Sequence, residues 1–363
     1  MRKRWVAFAI LPWMAIVQAN ADMKTSQDDL EITLNSGDDV LEFDWPMIEI
    51  GTGEYEAGPT GVTVIRFAEK VYSAIDVRGG GPGTVNAPYM EFGYDMPELD
   101  AVVFAGGSWY GLEAITAVAT AMMDDGKADG TAFGDAPTIA MSVGSIVYDL
   151  GERRFNEIYP DKRLAQAAYR AARTGTFPLG AHGAGRLTMT GGLFGCNAQS
   201  GQGGAFKQIG DLKLAVFTVV NALGVVVDRD GKVVACHKGE NAPSLLTAKD
   251  LMAGFPESRG DDWSGPERKN TTVTLVVTNQ KLTPQDLKRF AVQTHSSMAR
   301  ALQPYSTMFD GDVLYAVSTA ELDKVVMTPI DLGVVAGEVA WEENLISVTH
   351  LTVVHDDNLS ILI

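Results

Sequence analysis

Asn270-Thr271-Thr272-Val273-Thr274-Leu275-Val276-Val277-Thr278 is the stretch of this 363-residue sequence that most constrains its fold. It follows a charged loop rich in proline and glycine, and its apolar residues recur with period two, which predicts a β-strand. A peptide bond before a Thr can rearrange when the hydroxyl attacks the upstream carbonyl, and the freed α-amine then lies on the same residue as the hydroxyl. Asn270–Thr271 is therefore a candidate self-cleavage site with Thr271 as nucleophile. The alternative is an ordinary Thr at the start of a strand.

Four polar residues beside other apolar runs are further candidates for catalysis. Asp310 and Asp312 precede a predicted strand, where paired acids can hold an ammonium group or orient a nucleophile, or simply form a solvated Asp-Gly turn. Asn221 ends the predicted strand 214–220, and its amide can stabilise an oxyanion or satisfy a turn. Tyr148, which follows the predicted strand 138–147, has the same two interpretations.

The composition limits the classes of partner. Hydrophobic residues make up 46% of the chain and charged residues 21%, which is typical of a folded globule. A net charge of −17 argues against nucleic acid or an anionic membrane surface as a partner. A small amide or peptide substrate is compatible with this charge.

The N-terminus has the pattern of a secretory signal. Arg2, Lys3 and Arg4 precede an apolar stretch from residue 5 to 17, and small residues around Ala21 provide a cleavage site. The stretch is shorter than the roughly 20 residues that span a bilayer. We predict a signal peptide over 1–21 and a periplasmic or secreted protein; a short N-terminal anchor is the alternative.

The remaining chemistry-bearing residues indicate neither a metal nor an organic cofactor. Cys196 and Cys236 have no matching His spacing for zinc, and we interpret them as two small buried residues, although export would permit a disulfide. The five His residues are scattered, and His182 is the one that lies in a glycine-rich loop. No glycine cluster fits a phosphate or dinucleotide fingerprint, and Ser108 is interpreted as a helix cap.

Alternating helices and strands, together with hairpin signals, predict an α/β (α+β) fold with a mixed sheet covered by helices. Residues 22–40 are predicted to be an extended lead-in. Thr283 is predicted to cap a helix that has Pro284 at its first position. The other predicted elements are strands at 47–50, 62–67, 72–77, 101–105, 138–147, 214–220, 223–227, 313–318 and near 346–354, and helices at 112–123 and 162–173.

One enzyme family has the same motifs in the same order over roughly residues 41–320. They are Gly58-Pro59-Thr60-Gly61, Asp76-Val77-Arg78-Gly79-Gly80-Gly81-Pro82-Gly83-Thr84, Gly106-Gly107-Ser108, Gly111-Leu112, Val220-Asn221-Ala222-Leu223-Gly224, Asn270-Thr271-Thr272, Ala299-Arg300-Ala301 and Phe309-Asp310-Gly311-Asp312. In these motifs the chain resembles the L-aminopeptidase/D-esterase (DmpA-type) hydrolases, which include β-peptidyl aminopeptidases and the nylon-oligomer endohydrolase.

The resemblance implies an αββα sandwich that cleaves itself between Asn270 and Thr271. Residues 41–270 and 271–363 would be the α and β chains of one hydrolase domain, assembled as a homo-oligomer, commonly a tetramer of αβ pairs. Thr271 would be the nucleophile with its own amine as base, Asn221 an oxyanion partner, and Tyr148 a group near the scissile carbonyl. Asp310 and Asp312 would support the nucleophile, and no cofactor is implied.

The residues of this chain depart from the peptide-cleaving members, which typically have Ser as nucleophile and Ser and Glu in place of Asp310 and Asp312. Thr with two Asp is more similar to the nylon-oligomer enzyme, which also uses a Lys in the glycine-rich region. Arg186 is the nearest basic residue here, without a clear equivalence.

Three functions are compatible with this sequence. The first is an exported, self-processing amide hydrolase acting on short amides or on ω- or β-amino-acid oligomers. The second is an aminopeptidase in which Asp310 or Asp312 holds the substrate ammonium. The third is an exported binding protein that has lost catalysis, against which the intact Asn270, Thr271 and Asn221 argue.

Overall fold

The computed structural model describes residues 27–93, 96–128, 139–150, 158–236, 247–253 and 270–349. The predicted signal peptide and the predicted strand residues 350–354 lie outside these ranges. Within them, no helix is long and apolar enough to cross a membrane.

The strands of the described chain contribute to one large mixed sheet and three two-stranded ribbons. In chain order they are β1 Thr33–Leu34, β2 Val40–Glu42, β3 Ile48–Tyr55, β4 Thr60–Val77, β5 Thr84–Val85, β6 Glu98–Ala105, β7 Ser142–Ile146, β8 Arg173–Thr174, β9 Thr176–Pro178, β10 Met189–Thr190, β11 Ala198–Gln199, β12 Gln202–Ile209, β13 Leu212–Val219, β14 Val225–Val226, β15 Val273–Gln280, β16 Leu302–Gln303 and β17 Val313–Leu322.

The α-helices of the described chain are α1 Leu112–Ala128, α2 Lys162–Arg170, α3 Ala248–Ala253, α4 Pro284–Ser297 and α5 Pro329–Thr349. Short 3₁₀ turns lie at Gln27–Asp29, Ser108–Gly111, Gly183–Gly185, Gly192–Phe194 and Met298–Arg300, and a π-helical turn lies at Tyr89–Gly93.

The long strand β4 connects two halves of the large sheet. Its first part pairs with β3 and β6, and its last part pairs with β17, with a shift of register against β6 between Arg66 and Val71. Such a bulge bends a strand and increases its twist. The two predicted strands at 62–67 and 72–77 are therefore one strand, because the polar residues between them form the bend.

Three apolar clusters show a four-layer arrangement. One cluster lies between the two halves of the sheet and contains Phe104 and Phe217. A second packs β6 and the first part of β4 against α1 and α2. A third packs β13, β15 and β17 against α4 and α5. The order helix, sheet, sheet, helix confirms the predicted αββα sandwich with mixed sheets.

Two sequence predictions of local structure can be compared directly with the helices. The cap of α4 is confirmed, because the Thr283 side chain accepts from the Asp286 N–H and Pro284 is the first helical residue. The prediction that Ser108 caps a helix is wrong, because Gly107 is the residue that caps this turn and no side-chain capping bond is present. Ser108 instead has a φ of 52° and donates its N–H to Val147.

The strand predicted near 346–354 is wrong where the structure describes it, because residues up to 349 belong to α5. Four buried residues of α5 at helical spacing pack against β13, β15 and β17; they are Leu332, Ala336, Val339 and Ala340. The apolar residues at the end of this helix resemble a strand when they are considered without the preceding turns.

Cys196 and Cys236 form a disulfide, with their Cα atoms 4.4 Å apart. The interpretation of two separate buried residues is therefore wrong. The bond joins the turn after β10 to the segment after β14, where Phe194 and Val227 form a small apolar cluster around it.

The glycine-rich segment after β4 lies directly against the loop before β17. The N–H groups of Arg78 and Gly79 both donate to the Asp312 carbonyl, and the Gly81 N–H donates to the Asp310 carbonyl. A Cβ atom at Gly79 would lie 2.2 Å from the Asp312 nitrogen, so the backbone approach requires glycine there.

A partly buried polar network holds the start of this segment. Asp76 lies 2.9 Å from Nδ1 of the fully buried His295 on α4 and 2.5 Å from Nε of Arg78. Burial by itself would raise the pKa of Asp76, but the hydrogen bonds from His295 and Arg78 outweigh it and lower that pKa to about 2. Burial lowers the pKa of His295, so a neutral imidazole donates to the carboxylate.

We predict that Gly79→Ala lowers the free energy of unfolding by about 1–3 kcal/mol, because the added methyl group collides with the Asp312 backbone. Gly81→Ala is the matched control, since its Cβ would lie 3.9 Å from its nearest neighbour, the Asp310 carbonyl oxygen. Denaturant unfolding of both variants measures the difference. Equal stability of the two variants would contradict the predicted collision.

We also predict that Asp76→Asn destabilises the protein at neutral pH. The folded pKa of about 2 lies below the unfolded value of about 3.9, so the stabilisation by the carboxylate is complete above roughly pH 5. It is lost as the pH falls from about 4 to about 2. Denaturant unfolding across this range should show the difference between variant and wild type shrinking toward acid. Asp323→Asn, at an exposed ion pair with Lys281, should show no such trend.

Candidate active site

Parallel pairing of β15 with β17 brings the predicted nucleophile beside the two acids. Val273 pairs with Val313, and the pairing continues outside the sheet as an isolated bridge between Asn270 and Asp310. Adjacent parallel strands begin at the same end of the sheet, so the residues that precede the two strands lie next to each other. Thr271 is 4% exposed and lies in the centre of this edge.

The Thr271 hydroxyl lies against the peptide bond that precedes it. Its Oγ1 donates to the Asn270 carbonyl oxygen at 2.6 Å. A carbonyl bond is about 1.2 Å long, so the hydroxyl oxygen is within about 4 Å of the carbonyl carbon. The same carbonyl oxygen accepts the Gly311 N–H at 2.8 Å. The Asn270 carbonyl oxygen therefore accepts two hydrogen bonds, one from the Gly311 N–H and one from the hydroxyl of the potential nucleophile.

Asn221 contacts the nucleophile through its backbone. Its carbonyl oxygen accepts the Thr271 N–H at 2.8 Å. Its side chain joins two other segments, because Oδ1 accepts from the Met189 N–H at 3.1 Å and Nδ2 donates to the Tyr148 carbonyl at 3.0 Å. Asn221 is thus a neighbour of Thr271 through its main chain, while the amide predicted to stabilise an oxyanion is bound to Met189 and Tyr148.

Tyr148 joins the site through its main chain. Its carbonyl oxygen receives the Asn221 amide, and its side chain is half-buried. It follows β7 in the chain, and this hydrogen bond is what connects it with Asn221. The structure thus brings Tyr148 to the group, while its predicted role near the scissile carbonyl stays a prediction.

Asp312 is buried and holds the backbone on both sides of the site. Oδ1 accepts the Thr272 N–H at 2.7 Å and Oδ2 accepts the Ser306 N–H at 3.0 Å. Burial, followed by the nearby charge of Asp310, raises the pKa of Asp312 well above its usual value. Asp312 therefore contacts the nucleophilic segment at the residue after Thr271.

Asp310 is 2% exposed and closes the turn that precedes it. Oδ2 accepts from the N–H and hydroxyl of Thr307 at 2.9 and 2.6 Å, and Oδ1 accepts the Leu223 N–H at 3.4 Å. Burial raises the pKa of Asp310 despite these bonds. Its bond with Leu223 connects the loop that precedes β17 with the segment after Asn221.

Two residues of this group, Asp149 and Gly311, are not among the site residues predicted from the sequence. Asp149 is 1% exposed and accepts from the Thr60 hydroxyl at 2.5 Å and the Gly107 N–H at 2.7 Å. It thus joins two glycine-containing motifs beside Tyr148. An acid directly after a predicted strand was the available signal for Asp149. Gly311 has no side chain, and its contribution is a backbone N–H that periodicity does not reveal.

His182 and Arg186 lie in a separate polar cluster. His182 Nδ1 is 3.0 Å from the Ser36 hydroxyl and 3.4 Å from Glu54, and Arg186 pairs with Glu54 and Glu56. The nearest basic residue in the glycine-rich sequence is therefore neutralised by acids of β3 and the turn after it. None of the contacts described for Arg186 involves Thr271.

Comparisons with known proteins identify the family. Residues 43–362 match peptidase family S58. The chain is 35% identical to a 6-aminohexanoate-oligomer endohydrolase of Paenarthrobacter ureafaciens over 326 residues, covering 86% of this chain and 87% of that protein. It is 29% identical over 278 residues to an uncharacterised aminopeptidase of Mycobacterium tuberculosis, covering 76% of this chain and 77% of that protein.

Solved structures agree on the fold. A β-aminopeptidase of Burkholderia sp. superposes with a TM-score of 0.58 at 17% identity, covering 90% of this chain and 91% of that one. An L-aminopeptidase D-Ala-esterase/amidase of Ochrobactrum anthropi, a variant of the N-terminal-nucleophile (Ntn) hydrolase fold, gives 0.55 at 17% identity, covering 89% and 84%. The chain belongs to peptidase family S58, is a hydrolase of amide bonds, and has the fold of the Ntn hydrolases.

Proposed function

We propose that this hydrolase cleaves itself between Asn270 and Thr271 and then uses Thr271 to hydrolyse short amides or oligomers of ω- or β-amino acids. The observation that carries the proposal is the 2.6 Å contact between Thr271 Oγ1 and the Asn270 carbonyl oxygen. A hydroxyl held this close to its own upstream carbonyl needs little movement to attack it.

Self-cleavage would proceed through an ester. Oγ1 bonds to the Asn270 carbonyl carbon, the bond from that carbon to the Thr271 nitrogen breaks, and the hydroxyl proton passes to the departing nitrogen. Water then hydrolyses the ester, leaving a carboxylate on Asn270 and a free hydroxyl on Thr271. The net change is the addition of one water molecule across the peptide bond.

Hydrolysis of a substrate would repeat this chemistry on an incoming amide. The freed α-amine of Thr271 replaces the peptide N–H that faces the Asn221 carbonyl at 2.8 Å. An α-amine has an unperturbed pKa of about 7.7–8.0, so it can accept the hydroxyl proton near neutral pH. The leaving amine takes that proton, and water resolves the acyl-Thr271 ester.

Asp312 and Asn221 would position the nucleophile. Asp312 holds the Thr272 N–H and Asn221 holds the Thr271 nitrogen, so the residue is restrained from both sides. This arrangement supports the predicted assistance of Asp310 and Asp312 as backbone anchors. The Asn221 side chain and Tyr148 remain our proposed groups at the substrate carbonyl.

The substrate class rests on the similarity to the 6-aminohexanoate-oligomer endohydrolases. Their 35% identity covers most of both chains. An aminopeptidase acting on α- or β-peptides is the second candidate, favoured by the relatives of 29% and 30% identity that carry that name. In the second case a buried acid such as Asp310 would hold the substrate ammonium.

Export and assembly belong to the same proposal. The predicted signal peptide over 1–21 and the Cys196–Cys236 disulfide both support an oxidising, extracytoplasmic location. A homo-oligomer, commonly a tetramer of αβ pairs, is expected from the family resemblance. Size-exclusion chromatography with light scattering measures it directly.

We predict that Thr271→Ala remains a single uncut chain and loses amide hydrolysis by roughly 10⁴-fold or more, because nucleophile and processing residue are the same. Thr271→Ser is the matched control, since it retains a hydroxyl and should yield both fragments. Denaturing gels and mass spectrometry identify fragments that meet at 270 and 271. Normal fragments from Thr271→Ala would exclude the assignment.

The two substrate classes can be separated with 6-aminohexanoate oligomers that have either a free or an acetylated amino end. An endo-acting hydrolase should cleave both within about tenfold of each other, because it needs no terminal ammonium. An aminopeptidase should leave the acetylated oligomers intact. Chromatography of the products measures the ratio, and Thr271→Ala protein supplies the background.

A further inference from the structure

The structure assigns to the Gly311 N–H the role of oxyanion donor in self-cleavage, an inference that rests on the proposed function above. This N–H lies 2.8 Å from the Asn270 carbonyl oxygen, which becomes negatively charged when Thr271 attacks. Donors aimed at a developing oxyanion act most strongly when they are fixed before the reaction.

The peptide group that carries the donor is held at both ends. A trans peptide directs its N–H and C=O to opposite sides. In the Asp310–Gly311 peptide, the Asp310 carbonyl accepts the Gly81 N–H at 2.8 Å, while the Gly311 N–H donates to Asn270. The glycine-rich segment therefore orients the peptide plane, and its close packing on this loop directs the N–H to the scissile carbonyl.

Asn221 does not occupy this position in the uncleaved chain. Its Nδ2 donates to the Tyr148 carbonyl and its Oδ1 accepts the Met189 N–H. Its contact with the processing segment is made by its backbone oxygen, which is an acceptor. Within the described part of the chain, the backbone N–H that donates to the Asn270 oxygen is that of Gly311, and it stays in place when the Thr271 hydroxyl gives up its proton.

Glycine at 311 is also required by space. A Cβ atom there would lie 2.6 Å from Thr271 Oγ1 and 2.9 Å from the Gly81 carbonyl oxygen. A larger residue would displace either the nucleophile or the segment that orients the peptide. Because Gly311 has no side chain, its N–H can approach the Asn270 carbonyl oxygen. For the same reason, the Thr271 hydroxyl has free space in which to reach the Asn270 carbonyl carbon.

Replacing the 310–311 peptide by an ester, with hydroxyacetic acid incorporated at position 311, removes the N–H without adding bulk. We expect the half-time of Asn270–Thr271 cleavage to lengthen by about 10²–10³-fold, the usual effect of losing one oxyanion donor. The matched control carries the ester at Gly210, in the turn between β12 and β13 with open space around it. In this control the Asn270–Thr271 bond should be cleaved at the wild-type rate. Cleavage of the 311 ester chain at the wild-type rate would overturn the assignment.

The outcomes separate this inference from the proposed function. If the wild-type chain is not cleaved between Asn270 and Thr271, the proposal of self-processing fails. If it is cleaved, and the chain with the ester at 311 is cleaved there equally fast, only the role of Gly311 fails. Should the ester chain not fold, the uncut Thr271→Ala chain decides by amide hydrogen exchange. Exchange of the Gly311 amide slowed by about 100-fold or more relative to a free peptide supports the contact. Exchange at the free-peptide rate excludes it.

Discussion

The parallel ladder between β15 and β17 is the constraint on which the site depends. It continues beyond the sheet as the bridge between Asn270 and Asp310. The residues before β15, including Thr271, and those before β17, including Asp312, therefore lie at the same end of the sheet. Val273, Leu275 and Val277 of β15 face the apolar layer between the two halves of the sheet. A one-residue slip would turn the polar Thr274 and Thr278 into that layer. The register of a core ladder therefore determines the distance between the nucleophile and the acids.

The glycine-rich segment after β4 transmits that register to the reactive groups. Its N–H donors hold the Asp310 and Asp312 carbonyls, and its lack of side chains lets two backbones meet at contact distance. Asp76, His295 and Arg78 hold the beginning of the segment against α4. Catalytic geometry at Thr271 thus derives from backbone hydrogen bonds that belong to the packing of the fold.

Burying the carboxylates of Asp310 and Asp312 beside the nucleophile costs desolvation free energy, and hydrogen bonds from surrounding backbone N–H groups offset part of it. Burial raises the pKa values of both Asp310 and Asp312, which means that their charged forms are disfavoured. Four backbone N–H groups, from Leu223, Thr272, Ser306 and Thr307, donate to them. The acids therefore order three separate segments around Thr271, at the expense of their own desolvation.

The sequence by itself determined the class of fold and nominated a set of candidate site residues. Period-two strands and the capped helix α4 predicted a mixed sheet covered by helices, because these signals are local. The resemblance carried by the ordered motifs implied the αββα hydrolase and its candidate residues Thr271, Asn221, Asp310, Asp312 and Tyr148. Only the tertiary structure decided that Asp149 and Gly311 belong to the group, that Arg186 pairs with acids elsewhere, that Cys196 and Cys236 join, and that the chain around 346–349 is helical. Each of these depends on contacts between residues far apart in the chain or on a backbone group without a side chain, and neither leaves a periodic trace in the sequence.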